Sequence, residues 1–117
     1  VDMDVPQFFK ALSDPTRLRC LSLLLQQGEL CVCELTHAIA LPQPKISHHL
    51  GALRKARLVA DHKEGLWIYY RIHPDLPGWV SEVLQSTVNG VAQEEPFSSD
   101  ALALAEMPNR PGGICCA

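Results

Sequence analysis

Residues Glu29 to Arg57 read ELCVCELTHAIALPQPKISHHLGALRKAR. The stretch opens on two cysteines one residue apart, Cys31 and Cys33, soft donors suited to a thiophilic metal or metalloid. A helical pattern follows through Leu35, Ala38 and Ile39 and breaks at Leu41-Pro42. Gln43 and Pro44 then open a further helix, with Ile46, Leu50 and Leu53 on its inner side. Lys45, Ser47, His48, Arg54 and Lys55 are left largely outside. Two short helices joined by a tight turn are a helix-turn-helix. A thiol pair adjoining a candidate nucleic-acid reader suggests a sensor whose ligand site is mechanically joined to its output surface.

Upstream, Asp4 is placed to cap a first helix whose apolar stripe is Val5, Phe8, Phe9 and Leu12. Asp14-Pro15 signals a second start, followed by Leu18, Leu21, Leu24 and Leu25 up to a stop at Gly28. Cys20 falls among these leucines and reads as a small buried hydrophobe. Downstream of Leu58 the apolar period changes to two, and a Glu64-Gly65 turn separates two strand-like runs. This β-hairpin, with Ile68, Tyr70 and Ile72 on one face, follows the reader helix as a wing. A last helix carries Val80, Val83, Leu84, Val88 and Val91.

The fold expected is mainly α with a small β-hairpin (α+β), a winged helix-turn-helix spanning residues 1–92. The apolar stripes of the first and last helices exceed what so small a monomer needs, so they are expected to pair two subunits as a homodimer. The plainer reading is that both stripes close the monomer core. From Gln93 onward the chain is acidic and punctuated by Pro96, Pro108, Pro111 and Gly112-Gly113, so residues 93–117 are expected to form a mobile tail ending in Cys115-Cys116.

The chain has 117 residues, enough for one core. Its net charge of −3 is unevenly spread. Residues 45–71 hold Lys45, Arg54, Lys55, Arg57, Lys63 and Arg71 against only Asp61 and Glu64, so a basic middle lies between acidic ends. That is what one face meeting phosphate requires. No apolar run approaches the roughly 20 residues of a membrane span, and the start VDMDVPQFF lacks a signal peptide's basic flank and apolar block, so the chain reads as cytoplasmic. Its 5 cysteines then read as reduced, buried or metal-binding rather than paired.

Two sulfurs at i and i+2 converge only on extended backbone, because in a continuous helix they stand about 200° apart. The pair therefore either precedes the helix, or ligand binding must open its first turn. The bland alternative is two half-buried cysteines. On the reader helix, Gln43, Ser47 and His48 are candidates for base edges, Lys45 for guanine or phosphate, and Arg54, Arg57 and Lys63 for phosphate. Pro44, His49 and Lys55 belong to the same candidate surface, although His49 also reads as inward packing. A charged helix is often only a solvated face; the order helix, turn, helix, basic hairpin is what favours a reader. The histidines show no zinc pattern, and no phosphate loop or nucleophile motif indicates an enzyme or an organic cofactor.

ELCVCEL, followed by LPQPKISHHLGALRKARLV and EGLWIYYRIHP, resembles the ArsR/SmtB winged-helix repressors, and within them the arsenical-resistance type, over roughly residues 5–92. The resemblance implies a homodimer that sits on double-stranded operator DNA and leaves it when As(III) or Sb(III) binds. It implies Cys31 and Cys33 as inducer ligands and Gln43 through Leu58 as the recognition region. In some members a third cysteine lies three residues after the second; here that position is Thr36. Either two thiolates suffice with an outside ligand, or Cys115 or Cys116 joins from the tail. The cadmium-sensing type carries N-terminal cysteines and the zinc type has Asp/His and His/Glu pairs on its last helix, and neither feature is present. The rival readings are a cadmium/lead- or redox-responsive repressor of the same fold, or a thiol protein that buffers metal and binds no DNA.

Overall fold

A computed structural model describes residues 3–108. Helix α1 (Val5–Leu12) starts where the Asp4 carboxylate accepts the Gln7 amide at 3.0 Å. Helix α2 (Pro15–Gln27) starts the same way, with Asp14 accepting from Arg17 at 2.9 Å, and ends at Gly28, whose φ of 91° is open to glycine at little cost. Both starts follow from an aspartate placed ahead of a proline-bearing first turn.

Strand β1 (Glu29–Cys31) runs directly into α3 (Val32–Ile39), and a left-handed Ala40 turns the chain into α4 (Gln43–Lys55). Strands β2 (Val59–Glu64) and β3 (Trp67–Ile72) form the wing, closed by a two-residue turn with Gly65 at φ 64°. The antiparallel sheet has the order β1-β3-β2. The unexpected strand is β1, whose three residues are too few to show an alternation. It is held by the pairings Glu29↔Arg71, Leu30↔Tyr70 and Cys31↔Tyr69, so the thiol segment is hydrogen-bonded to the root of the wing.

Helix α5 (Gly78–Val91) buries Val80, Leu84 and Val88. The segment expected to be a mobile tail instead contains a sixth helix, α6 (Phe97–Ala105), lying along α3. Its anchor is Asp100, 2% exposed, whose carboxylate accepts two hydrogen bonds from Arg19 at 2.6 and 2.8 Å. Arg19 also donates to the Ile39 carbonyl at the end of α3, at 3.1 Å. One guanidinium thus ties α2, α3 and α6 together, and Leu104 and Met107 close the core beyond it. Cys115 and Cys116 lie outside the described residues.

The core is formed mainly by Phe8, Leu21, Leu24, Leu30, Leu35, Ile46, Leu50, Leu53, Leu58 and Leu84, all fully buried. The α1 stripe does not bury as one unit. Phe8 is enclosed, but Val5 is 46% and Phe9 50% exposed, because α5 presents Trp79 edge-on to Phe8 and leaves the outer side of both helices open.

Candidate thiol site and nucleic-acid interface

The two cysteines straddle the end of β1 and the first turn of α3. Cys31 is the N-cap residue, with φ −85° and ψ 165°, and Cys33 is already helical. That change of backbone removes the angular separation a continuous helix would impose, and the two sulfurs stand 3.2 Å apart. Glu34 completes the turn. Its fully buried carboxylate accepts the Cys31 amide at 2.9 Å, and the Cys31 sulfur faces the Glu34 amide, a capping box with sulfur in the usual hydroxyl's place. Sequence reasoning missed Glu34, although C-x-x-E copies the S/T-x-x-E spacing.

Burial pushes the Cys31 thiol above its ordinary range, and the neighbouring Glu34 charge adds to this, while backbone amides at the helix start pull the other way. Cys20 is a different case. Enclosed in α2, it is driven up to about 12 by desolvation, as the reading of a buried hydrophobe expects. Beside Cys33 lies a cavity of about 330 Å³ lined by Cys33, Thr36, His37, Gln43 and Met107. The Thr36 hydroxyl is buried without a hydrogen-bond partner. A second cavity, about 180 Å³, separates Cys31 and Val32 from the wing residues Leu66, Trp67 and Ile68, and Gln43 lines it too. The Cys31 and Cys33 sulfurs, the second of them disulfide-bonded rather than reduced as the sequence suggested, therefore border both the reader helix and the wing.

Helix α3 packs directly on α4. The first turns of α4 expose Gln43, Pro44, Lys45 and His48, with Ser47 half exposed, and Gln43 donates to the Ser47 hydroxyl at 2.7 Å. Pro42 supplies no side-chain cap to this helix. Lys55, Arg57 and Lys63 are exposed around its far end and on β2. Arg54 is exposed but holds Asp61 of β2 at 3.0 Å, which fixes the wing against α4. His49 is a correction to the candidate DNA surface. It is 8% exposed and turned inward, its Nδ1 3.7 Å from the Asp14 carboxylate, because it shares the inner face with Ile46, Leu50 and Leu53. Desolvation lowers its pKa, so it sits as a neutral packed imidazole.

The bacterial regulatory protein, arsR family, helix-turn-helix pattern matches residues 14–61. The chain is 51% identical over 113 residues, 96% of its length and 87% of the relative's, to the arsenic resistance transcriptional regulator ArsR1 of Pseudomonas putida. The chain belongs to the ArsR family. The ArsR-family fold extends to solved structures. HlyU from Vibrio cholerae superposes with a TM-score of 0.67 at 29% identity, covering 76% of this chain and 92% of that one. The AntR antimony-specific transcriptional repressor gives 0.63 at 31% identity, covering 74% and 76%. This ArsR-family chain is thus a winged-helix DNA-binding transcription regulator rather than an enzyme, and among the described residues no helix is long and apolar enough to cross a membrane.

Proposed function

We propose that this chain is an arsenic-responsive repressor that binds operator DNA as a homodimer in the cytoplasm and is released when As(III) or Sb(III) bonds to Cys31 and Cys33. The observation that carries the reading is the sulfur pair, 3.2 Å apart, one member of which caps the helix packed on the reader. A ligand that bonds both sulfurs competes with the capping box for the Cys31 backbone, and strain at that turn passes to α4 through α3 and to the wing through the Cys31↔Tyr69 pairing.

Chemistry favours a metalloid over a dication. Once a reductant has returned Cys33 to the thiol, arsenous acid brings its own hydroxyls, and each thiol proton leaves with one of them as water, so a thiol that resists ionisation is no handicap. Cadmium or zinc must expel those protons, and the high pKa of Cys31 opposes that. The third valence of arsenic falls either to Cys115 or Cys116, since eight residues beyond Met107 span at most about 26 Å, or to a ligand that is not sulfur.

For DNA, Gln43, Lys45, Ser47 and His48 enter the major groove on α4, with Pro44 setting the helix start. Arg54, Lys55, Arg57 and Lys63 hold phosphates. The exposed Val5, Phe9 and Trp79 meet a second copy through the first helix and α5, which buries an aromatic patch no described residue covers. Fluorescence anisotropy of labelled upstream DNA, titrated with reduced protein and then with arsenite, antimonite, cadmium or zinc, tests the reading. Release by arsenite and antimonite supports it. Tight DNA binding that arsenite leaves undisturbed would overturn the inducer and keep the winged helix.

A further inference from the structure

We propose that Leu66, at the tip of the wing, is an apolar wedge that enters the minor groove next to the half-site read by α4 and unstacks a pyrimidine–purine step there, so that the protein selects deformable DNA at a position its basic residues do not read. The proposal rests on the placement of α4 in the major groove and adds a base contact outside it. The tip is a two-residue turn, Gly65-Leu66, in which Gly65 takes a positive φ of 64° and Leu66 does not. That is the pattern of a type II′ hairpin turn, which asks for glycine first and suits a polar residue second. A leucine in the second place answers no need of the turn. Its side chain finds no cover in the fold either: Leu66 is 81% exposed, more than any other large apolar residue among the described residues.

Position then decides what the leucine meets. Leu66, Trp67 and Ile68 line one cavity of about 180 Å³ with Gln43, so the tip stands beside the open start of the reader helix. The hairpin behind it is paired from Val59↔Ile72 to Glu64↔Trp67, and the Arg54–Asp61 contact of 3.0 Å ties β2 to α4, so tip and reader keep a set spacing on DNA. With α4 filling the major groove, the groove next to it along the duplex is the minor one. A leucine cannot hydrogen-bond the base edges there. What an apolar side chain does in a minor groove is slip between base pairs and kink the step. Pyrimidine–purine steps yield most easily, which turns their flexibility into specificity. Exposed Lys63 flanks the tip for the adjoining phosphates, and the acid beside the turn, Glu64, stands 3.6 Å from the His62 imidazole, whose protonation offsets the carboxylate.

Hydroxyl-radical footprinting of the full chain, reduced with a phosphine, on its upstream DNA locates the half-sites. Then 2-aminopurine, substituted in turn for each flanking adenine, reports unstacking as a rise in fluorescence. A flanking step of each half-site should brighten with the native chain and stay dark with Leu66→Ser. Leu66→Ser should weaken operator binding by about tenfold, in the range of one base-stacking contact. The salt slope should not change, because no charge is lost, and Leu66→Met should restore both affinity and brightening. Full affinity and full brightening in Leu66→Ser would overturn the proposal. So would an effect of Leu66→Ser confined to the sedimentation of DNA-free protein, which would make the tip a contact between protein chains. Guanine N7 atoms left open to dimethyl sulfate throughout the footprint would overturn the placement of α4 instead.

Discussion

The two helices of the helix-turn-helix begin in opposite ways. The start of α3 is closed: Cys31 and Glu34 satisfy one another's amides, Cys31 and Glu34 are buried, and β1 pins the preceding residues to the wing. The start of α4 is open, with Gln43, Pro44, Lys45 and His48 exposed and no side chain capping the turn. An open helix start leaves its positive end and polar side chains for an outside partner, and DNA supplies phosphates and base edges to fill that role. A closed start has no such vacancy, so a ligand there must displace something. One end is therefore built to bind and the other to be perturbed, and the direct packing of α3 on α4 makes the second govern the first.

The strongest way to break this contrast is to remove the sulfurs. Cys31→Ser with Cys33→Ser is expected to abolish arsenite-driven release while leaving DNA affinity unchanged, checked by anisotropy on the operator fragment. A variant that responds normally would remove the closed start from the mechanism.

Proton counting sharpens the contrast next. Because burial raises the Cys31 thiol pKa, the folded site holds that proton through neutral pH, and a dication must displace it. Cadmium affinity should rise up to about tenfold per pH unit for each proton displaced between pH 6 and 8, whereas arsenite affinity should stay nearly flat. Competition titrations at three pH values separate the two slopes, and parallel slopes would refute the neutral-exchange account.

A third change tests the far end of α3. Asp100→Ala strips Arg19 of its carboxylate partner in a site where the two side chains are 3% and 20% exposed. Loss of one member of such a pair should cost about 2–3 kcal/mol, less than for a wholly buried pair because Arg19 retains some solvent. Thermal unfolding should show a clearly lower midpoint, with α6 released from α3. An unchanged midpoint would mean that α6 contributes nothing to holding the sensor helix.

The smallest effects belong to the open start. Lys45→Ala or His48→Ala should each weaken operator binding by about tenfold, and Lys45→Ala should also reduce the salt slope by about one. Arsenite affinity measured without DNA should not move. Normal DNA affinity in both variants would make the exposed face of α4 a solvated surface only.

How much of this was legible beforehand differs residue by residue. The aspartate caps, the Gly28 stop, the proline-opened reader and the glycine-turned hairpin are local signals, set by backbone geometry within a few residues, so α1, α2, α4 and the wing could be read directly. The pairing of Cys31 with Cys33 was legible as chemistry but not as geometry, since periodicity cannot say on which side of a helix boundary two residues fall. His49 shows the limit within one helix. Its neighbour His48 is exposed while His49 is buried, and only the contacts of the inner face separate them.

By itself the sequence determined the order of elements, the basic face and the soft donors, because each is written in residue type and short spacing. Only the tertiary structure decided that β1 exists, that α6 is a helix tied to Arg19, and that Thr36 carries an unanswered hydroxyl beside Cys33. The first two depend on partners tens of residues away, 81 in the case of Arg19 and Asp100. A strand of three residues, or a short helix with an acidic, proline-bordered sequence, is stable only once a neighbour satisfies its hydrogen bonds and covers its apolar side.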